Sequence, residues 1–198
     1  MKITEAWSNK DEFLKLCREN NACKFEYKKC VNSKTEDELL EIVSRNFNWC
    51  VVYDVLEEWL PKVLNTKKLD CSDCTGLIKL PKLPENEMLD CVNCMGLTEL
   101  PALPKNKYLY CADCTSLTKL PKLPKNKTLY CFDCIDLTEL PKLPKNEYLD
   151  CSGCTGLTEL PALPKNKTLD CYDCTSLTEL PELPENERLD CNEGLKQA

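Results

Sequence analysis

Leu149-Asp150-Cys151-Ser152-Gly153-Cys154-Thr155-Gly156-Leu157-Thr158-Glu159-Leu160-Pro161-Ala162-Leu163-Pro164-Lys165-Asn166-Lys167-Thr168 is the stretch that decides the fold. The same 20-residue unit runs six times, over 69–88, 89–108, 109–128, 129–148, 149–168 and 169–188, and a seventh starts at Leu189 and stops. Its pattern is Leu-x-Cys-x-x-Cys-x-x-Leu-x-x-Leu-Pro-x-Leu-Pro-x-Asn-x-x. A fixed period of this size marks a solenoid, in which each coil buries by stacking what it cannot bury alone.

Leu-x-Cys alternates, so it suits a short strand with both apolar side chains on one face. Leu-Pro-x-Leu-Pro cannot be a regular helix, because each proline lacks an N–H and pushes the residue before it toward extended geometry. The return arm is therefore extended or a short 3₁₀ turn. Stacked coils place their strands in one parallel sheet at about 4.8 Å per coil, and seven strands make it about 30 Å long. The expected fold class is a repeat solenoid: a parallel β-sheet on one face, extended or 3₁₀ return arms, and an N-terminal α-helical cap.

The pattern over 69–195 resembles the leucine-rich-repeat family, whose consensus is a leucine ladder followed by Asn or Cys at the turn. Cys74, Cys94, Cys114, Cys134, Cys154 and Cys174 match that turn position. The Leu-Pro-x-Leu-Pro arm is similar to the short repeats of secreted bacterial effectors. The Cys-x-x-Cys-x-x-Leu start is similar to cysteine-containing repeats of giant-virus proteins. The resemblance implies a non-catalytic protein-binding scaffold. One departure is an asparagine, Asn86 to Asn186 at 20-residue intervals, where the family usually opens its strand motif with leucine. Effector ubiquitin ligases carry a large catalytic domain after their repeats, and that activity is not expected of a chain ending at Ala198.

The first 64 residues do not repeat. Ser8 to Glu19 reads as a short helix with Ser8 and Asp11 as a capping pair. Thr35 to Phe47 reads as a second helix, with Thr35 and Glu38 as a capping box and Leu39, Leu40, Ile42 and Val43 as its apolar stripe. Trp49 to Tyr53 suits a strand, and Leu60, Pro61 and Val63 fall in register with later arms. The expected organisation is a helical N-terminal cap over 1–48, a degraded first repeat over 49–68, six repeats over 69–188 and a partial repeat over 189–198. A cap is needed because an open first coil exposes leucine and strand backbone.

Composition removes several classes of function. Histidine is absent, so no histidine base, Ser-His-Asp triad or histidine metal site exists. The five glycines form no phosphate loop, and no catalytic constellation is present. A net charge of −7 disfavours nucleic acid as partner. No signal peptide opens the chain and no run is long enough to span a membrane, which points to the cytoplasm, or host cytosol for a viral or effector protein. In that compartment the 17 cysteines stay reduced.

The cysteine pairs admit two readings. Cys71, Cys74, Cys91 and Cys94 have the spacing of a zinc ribbon, so zinc binding through the ladder is the alternative function. The period alone produces that spacing, however, and an inward thiol beside leucine behaves as a small buried hydrophobe. No cofactor is expected.

The outward strand positions carry the functional expectation. Every aromatic of the repeats falls there: Tyr108, Tyr110, Tyr130, Phe132, Tyr148 and Tyr172. Asp150 and Asp170, with Asp70, Asp90 and Asp190, share the central row. Strand propensity explains a liking for strands, but not an aromatic cluster on the solvent side. Aromatics rimmed by carboxylates have the composition of an interface core, so Tyr108, Tyr110, Tyr130, Phe132, Tyr148, Asp150, Asp170 and Tyr172 are the expected protein-partner residues. The lysines of the turns, such as Lys125 and Lys165, read as a solvated row, and the Asn ladder as coil-to-coil amide bonding. The unfinished seventh coil leaves Leu177, Leu180 and Leu183 partly open and makes the C-terminal edge a candidate homodimer contact.

Overall fold

The computed structural model describes residues 67–197 except Gly76 and Pro81, together with Leu14, Lys28, 31–35 and Glu38. The chain divides into two compact units, Met1–Asn65 and Thr66–Ala198. In the first unit Leu14, Lys28, Val31, Asn32 and Glu38 have α-helical backbone. The Glu38 N–H donates to Thr35 Oγ1 at 3.2 Å, and the Lys34 N–H donates to Glu38 Oε2 at 2.7 Å. The Thr35/Glu38 capping pair thus forms, with the glutamate reaching one residue further back than a capping box requires. The rest of the expected cap and the degraded repeat up to 66 lie outside the described residues.

The second unit is a parallel β-solenoid. Strands β1 (Lys68–Asp70), β2 (Met88–Asp90), β3 (Tyr108–Tyr110), β4 (Thr128–Tyr130), β5 (Tyr148–Asp150), β6 (Thr168–Cys171) and β8 (Arg188–Cys191) form one seven-stranded sheet in that order. Every pairing is parallel and shifted by one coil, so Leu69 faces Leu89, Leu89 faces Leu109, and so on to Leu189. The period of the sequence is the register of the sheet. Strand β1 starts at Lys68, one residue inside the span assigned to the degraded repeat.

Each coil turns away from the sheet at the residue before its second cysteine. Asp73, Asn93, Asp113, Asp133 and Asp173 have φ between 55° and 60°, and Gly153 has φ 68°. This left-handed geometry suits Asn, Asp and Gly, whose side chains or lack of one lower its cost. The following leucine closes the turn, as in the Leu77 N–H to Cys74 carbonyl bond of 2.9 Å. The Leu-Pro-x-Leu-Pro arm is extended; no 3₁₀ helix occurs among the described residues, only single i to i+3 turns such as Asn106 N–H to the Leu103 carbonyl at 3.3 Å.

Leucine and cysteine columns fill the interior. Leu89, Leu97, Leu103, Leu109, Leu117 and Leu129 are at 0% exposure, and so are Cys91, Cys111, Cys131 and Cys151. Each leucine removed from water contributes about 1.5–3 kcal/mol. The second cysteine of each coil donates its thiol hydrogen to the carbonyl of the first cysteine one coil earlier, from Cys94 to Cys71 at 3.1 Å through Cys174 to Cys151 at 3.0 Å. The asparagine column is buried from Asn86 to Asn166 and half-buried at Asn186. Asn106, Asn126, Asn146, Asn166 and Asn186 each donate to the side-chain oxygen of the preceding asparagine at 3.0–3.4 Å. From Asn86 to Asn166 the same amide also bonds the carbonyl two residues on, at 2.7–3.0 Å.

The C-terminal end departs from expectation. The seventh coil is shortened, not abandoned. After Gly194, at φ 92°, strand β9 (Lys196–Gln197) returns to pair with β7 (Glu179–Leu180) on the arm side, with Glu179 opposite Lys196. Leu177 and Leu180 are buried at 6% and 1% exposure, whereas Leu183 and Leu195 are half-buried and Leu189 is exposed. The reason is register: Glu179 to Lys196 spans 17 residues instead of 20, because the last turn drops three residues and still reaches the ladder.

Candidate binding face

The outward side of the sheet has three rows, ahead of, between and after the Leu and Cys of each strand. The central row holds Asp70, Asp90, Tyr110, Tyr130, Asp150, Asp170 and Asp190. Four of its five aspartates do local work. Asp70 Oδ1 accepts the Ser72 N–H at 3.1 Å, Asp90 that of Val92 at 3.3 Å, Asp150 that of Ser152 at 3.1 Å and Asp170 that of Tyr172 at 3.2 Å. Each carboxylate closes an Asx-type turn on the backbone just past its strand. Ser72 and Ser152 add a hydroxyl bond to the same oxygen at 2.7 Å. The sequence pattern alone did not show this role, which needed the backbone of the turn.

Tyr110 and Tyr130 stand where that aspartate belongs. A phenol ring cannot accept the N–H two residues on, so these two coils give up the turn bond. In its place the rings stack, 5.4 Å apart at an interplanar angle of 27°. Tyr148 joins from the row ahead, on the diagonal, with its ring 4.8 Å from that of Tyr130 at 25°. Offset stacking at these separations stabilises each pair by about 0.5–1.5 kcal/mol beyond burial.

The eight expected partner residues separate by position. Tyr110, Tyr130 and Tyr148 form one stack and are half-buried, as are Phe132, Asp150 and Asp170. Tyr108 and Tyr172 are exposed at 39% and 53%, and no ring stacking joins them to the three among the described residues. Ala112, placed outward by the strand pattern, is fully buried. Asp90, Asp113 and Asp133 were not among the expected residues, yet they border the stack. Asp90 lies opposite Tyr110 in the ladder, and Asp113 and Asp133 occupy the turns of the coils that carry Tyr110 and Tyr130.

The electrostatics of the face are acidic. Burial pushes the carboxyl pKa values of Asp90, Asp113 and Asp170 above their ordinary range, with neighbouring carboxylates adding to it: Asp70 for Asp90, Asp133 for Asp113, Asp150 and Asp190 for Asp170. The Tyr148 hydroxyl, hydrogen-bonded to Tyr130, is pushed up to about 12. Burial and the charges of Tyr130 and Asp90 raise Tyr110. The neighbouring lysines are already matched: Lys105 to Glu85 and Lys107 to Glu87 at 2.7 Å, and Lys127 to Glu147 at 2.8 Å. Exposed ion pairs of this kind stabilise little but neutralise the border.

Among the described residues the thiols serve the packing and bonding of the ladder. All 13 described cysteines of the repeats are free, twelve of them buried. Hydrogen bonding to the next coil's cysteine and burial hold Cys91, Cys111, Cys131 and Cys151 well above the ordinary thiol range. Among the described residues no group of three or more Cys, Asp or Glu side chains converges as a metal ion needs. The ladder sets sulfurs in rows, with the second sulfur of each coil bonded to backbone, rather than around a point. Among the same residues no helix is long and apolar enough to cross a membrane.

No protein-family model matches the chain, and no curated protein matches it as a relative. It is similar to the solved structure of YopM, a leucine-rich effector protein from Yersinia pestis, at 24% identity and a TM-score of 0.49. That alignment covers 98% of this chain and 55% of the other, so this chain spans about half the length of that protein. Likeness at this level leaves the role of the chain to its own geometry.

Proposed function

We propose that this chain is a protein-binding scaffold of the leucine-rich-repeat type, and that the partner docks on the aromatic face of the sheet. The observation that carries this reading is the exchange at Tyr110 and Tyr130. Four coils keep an aspartate that bonds its own turn, and two adjacent coils replace it by a solvent-facing ring. A local structural rule broken without local gain in backbone bonding is the mark of a functional position. The inward positions of the coil are held constant in leucine, cysteine and asparagine, while the outward strand positions change from coil to coil, as recognition by a repeat protein requires.

Binding, not catalysis, is the activity on this reading. The free, buried thiols suit a reducing compartment such as the cytosol. Tyr110, Tyr130 and Tyr148 form the anchor, with Tyr108, Phe132, Asp150, Asp170 and Tyr172 around it. Affinity purification from cytosol, with wild type set against Tyr110→Ala/Tyr130→Ala, tests this. Loss of specific partners with the double variant is expected, and a shared partner list would overturn it. Truncating a buried aromatic anchor costs about 2 kcal/mol or more, roughly a 30-fold loss of affinity. Lys125→Ala/Lys165→Ala should cost much less, and the reverse ranking would move the site to the lysine row.

A further inference from the structure

We propose that the aromatic face takes an extended basic segment of a polypeptide, with one cationic side chain seated at each end of the tyrosine stack. One lies between Tyr110 and Asp90, and the other beside Tyr148, Asp150 and Asp170. The proposal rests on the reading of this face as the binding surface and adds the chemistry of its occupant.

The stack itself defines two seats. Tyr110, Tyr130 and Tyr148 follow one another at 5.4 Å and 4.8 Å, nearly parallel at 27° and 25°. Three stacked rings cover their inner faces against one another, and the outer face of each end ring has no ring partner among the described residues. A cation is attracted to such a face within about 6 Å of the ring centre. Each end also meets carboxylate. Asp90 is the ladder partner of Tyr110, and Asp150 follows Tyr148 by two residues on the same outward side of β5. One oxygen of Asp90 and of Asp150 is held by the turn, at Val92 and Ser152, and the second has no partner within the described protein. A guanidinium on the ring face therefore finds an open carboxylate oxygen beside it, the pairing that favours arginine over lysine.

The charge around the stack selects the sign of the ligand. Between Lys68 and Arg188 no outward strand position carries a basic residue. On the turn side Asp113 and Asp133 add negative charge, and burial, with the Asp133 charge beside it, raises the Asp113 carboxyl. On the opposite side Lys107 and Lys127 are closed by Glu87 and Glu147 at 2.7 Å and 2.8 Å. An acidic segment is repelled along the whole length, and a basic one is attracted.

Spacing then limits the segment. Asp90 and Asp150 are three coils apart, about 14 Å at roughly 4.8 Å per coil. An extended chain rises about 3.4 Å per residue and presents alternate side chains on one face, so residues i and i+4 are also about 14 Å apart. The expected motif is Arg-x-x-x-Arg, laid across the strands.

Fluorescein-labelled peptides of glycine and serine, carrying two arginines at separations of one, two, four and seven residues, test this by anisotropy against the full chain. Parallel sets carry glutamine or glutamate instead. Tightest binding is expected for the four-residue separation. It should fall at least about tenfold with Asp90→Asn/Asp150→Asn, the scale of one lost charge-assisted contact. Asparagine keeps the turn acceptor, so this variant removes charge without removing the fold's own bond. Tyr110→Ala/Tyr130→Ala should abolish binding, and Tyr110→Phe/Tyr130→Phe should retain it. Binding of glutamine or glutamate peptides that is lost in the alanine variant overturns the basic ligand while leaving the face as a binding surface. Arginine peptides that bind the alanine variant as well as wild type overturn both readings. No binding of any peptide at millimolar concentration overturns this proposal, and the partner comparison above then judges the scaffold separately.

Discussion

At the scale of the residue, the asparagine column shows how one side chain type can be structural throughout. Asn126 is fully buried, donates to the Asn106 side chain and the Thr128 carbonyl, and accepts from Asn146. Asn126→Ala removes these bonds and leaves Asn146 only its bond to the Tyr148 carbonyl, so it should cost about 2–4 kcal/mol, and Asn186→Ala at the half-buried end of the ladder about half that. Urea unfolding of the two variants checks the ranking, and equal losses would mean the amides do not act as a ladder. Tyr148 gives a spectroscopic counterpart. Its hydrogen bond to Tyr130 raises its hydroxyl above the ordinary value of 10 to about 12. Because the folded value is the higher one, the stability it contributes is complete below about pH 10 and is lost as pH rises through about 12. An alkaline absorbance titration should show a last-titrating tyrosine that disappears in Tyr148→Phe and moves earlier in Tyr130→Phe.

At the scale of the element, each coil depends on how closely its backbone approaches the next. Gly156 shows this directly: a Cβ there would lie 2.8 Å from the Ile135 carbonyl oxygen and 2.9 Å from that of Leu137. Both are backbone atoms, so Gly156→Ala should destabilise the fifth coil by about 1–3 kcal/mol, the usual cost of overpacking. Thermal unfolding measures it. The short C-terminal strand matters in the same way. β9 pairs with β7, on which Leu180 is 1% exposed. Deleting residues 194–198 should speed amide exchange in β6 and β8 while leaving β3 and β4 unchanged, because a repeat array transmits loss only to its neighbours. Uniform acceleration across the sheet would contradict that. The thiol columns belong to this scale too. Slow labelling of Cys91, Cys111, Cys131 and Cys151 in the native state, and full labelling after denaturation without reductant, is the expected behaviour of buried free thiols.

At the scale of the whole molecule, the described sheet presents one face, and strand β8 is paired on a single side among the described strands. Leu189 on that strand is 40% exposed, and Leu183 beside it is half-buried. An edge strand with free backbone is a template for pairing, and a second copy in a two-fold arrangement is the candidate occupant to test. Arg188, Asp190 and Glu193 weaken it. Light scattering over a dilution series tests it: a concentration-dependent dimer supports the contact. A constant monomer mass at high concentration excludes it, and a dimer that survives Asp190→Lys places the contact elsewhere.

Much of this was legible in the chain itself. A 20-residue period with proline in the arm leaves a stacked solenoid as the economical way to bury four leucines and two thiols per unit, and the same period set the sheet register residue for residue. The capping pair Thr35/Glu38, the buried thiols and the amide ladder followed from side-chain chemistry at fixed spacing. Other features depended on coordinates. That Asp90 and Asp150 hold their own turns, that Tyr148 stacks on Tyr130 from another row, and that β9 folds back on β7 could not be read from a linear pattern. The physical reason is that a repeat determines which residues share a column. The diagonal reach of a ring, the second role of a carboxylate and the closure of a shortened coil arise only when columns are set side by side in three dimensions.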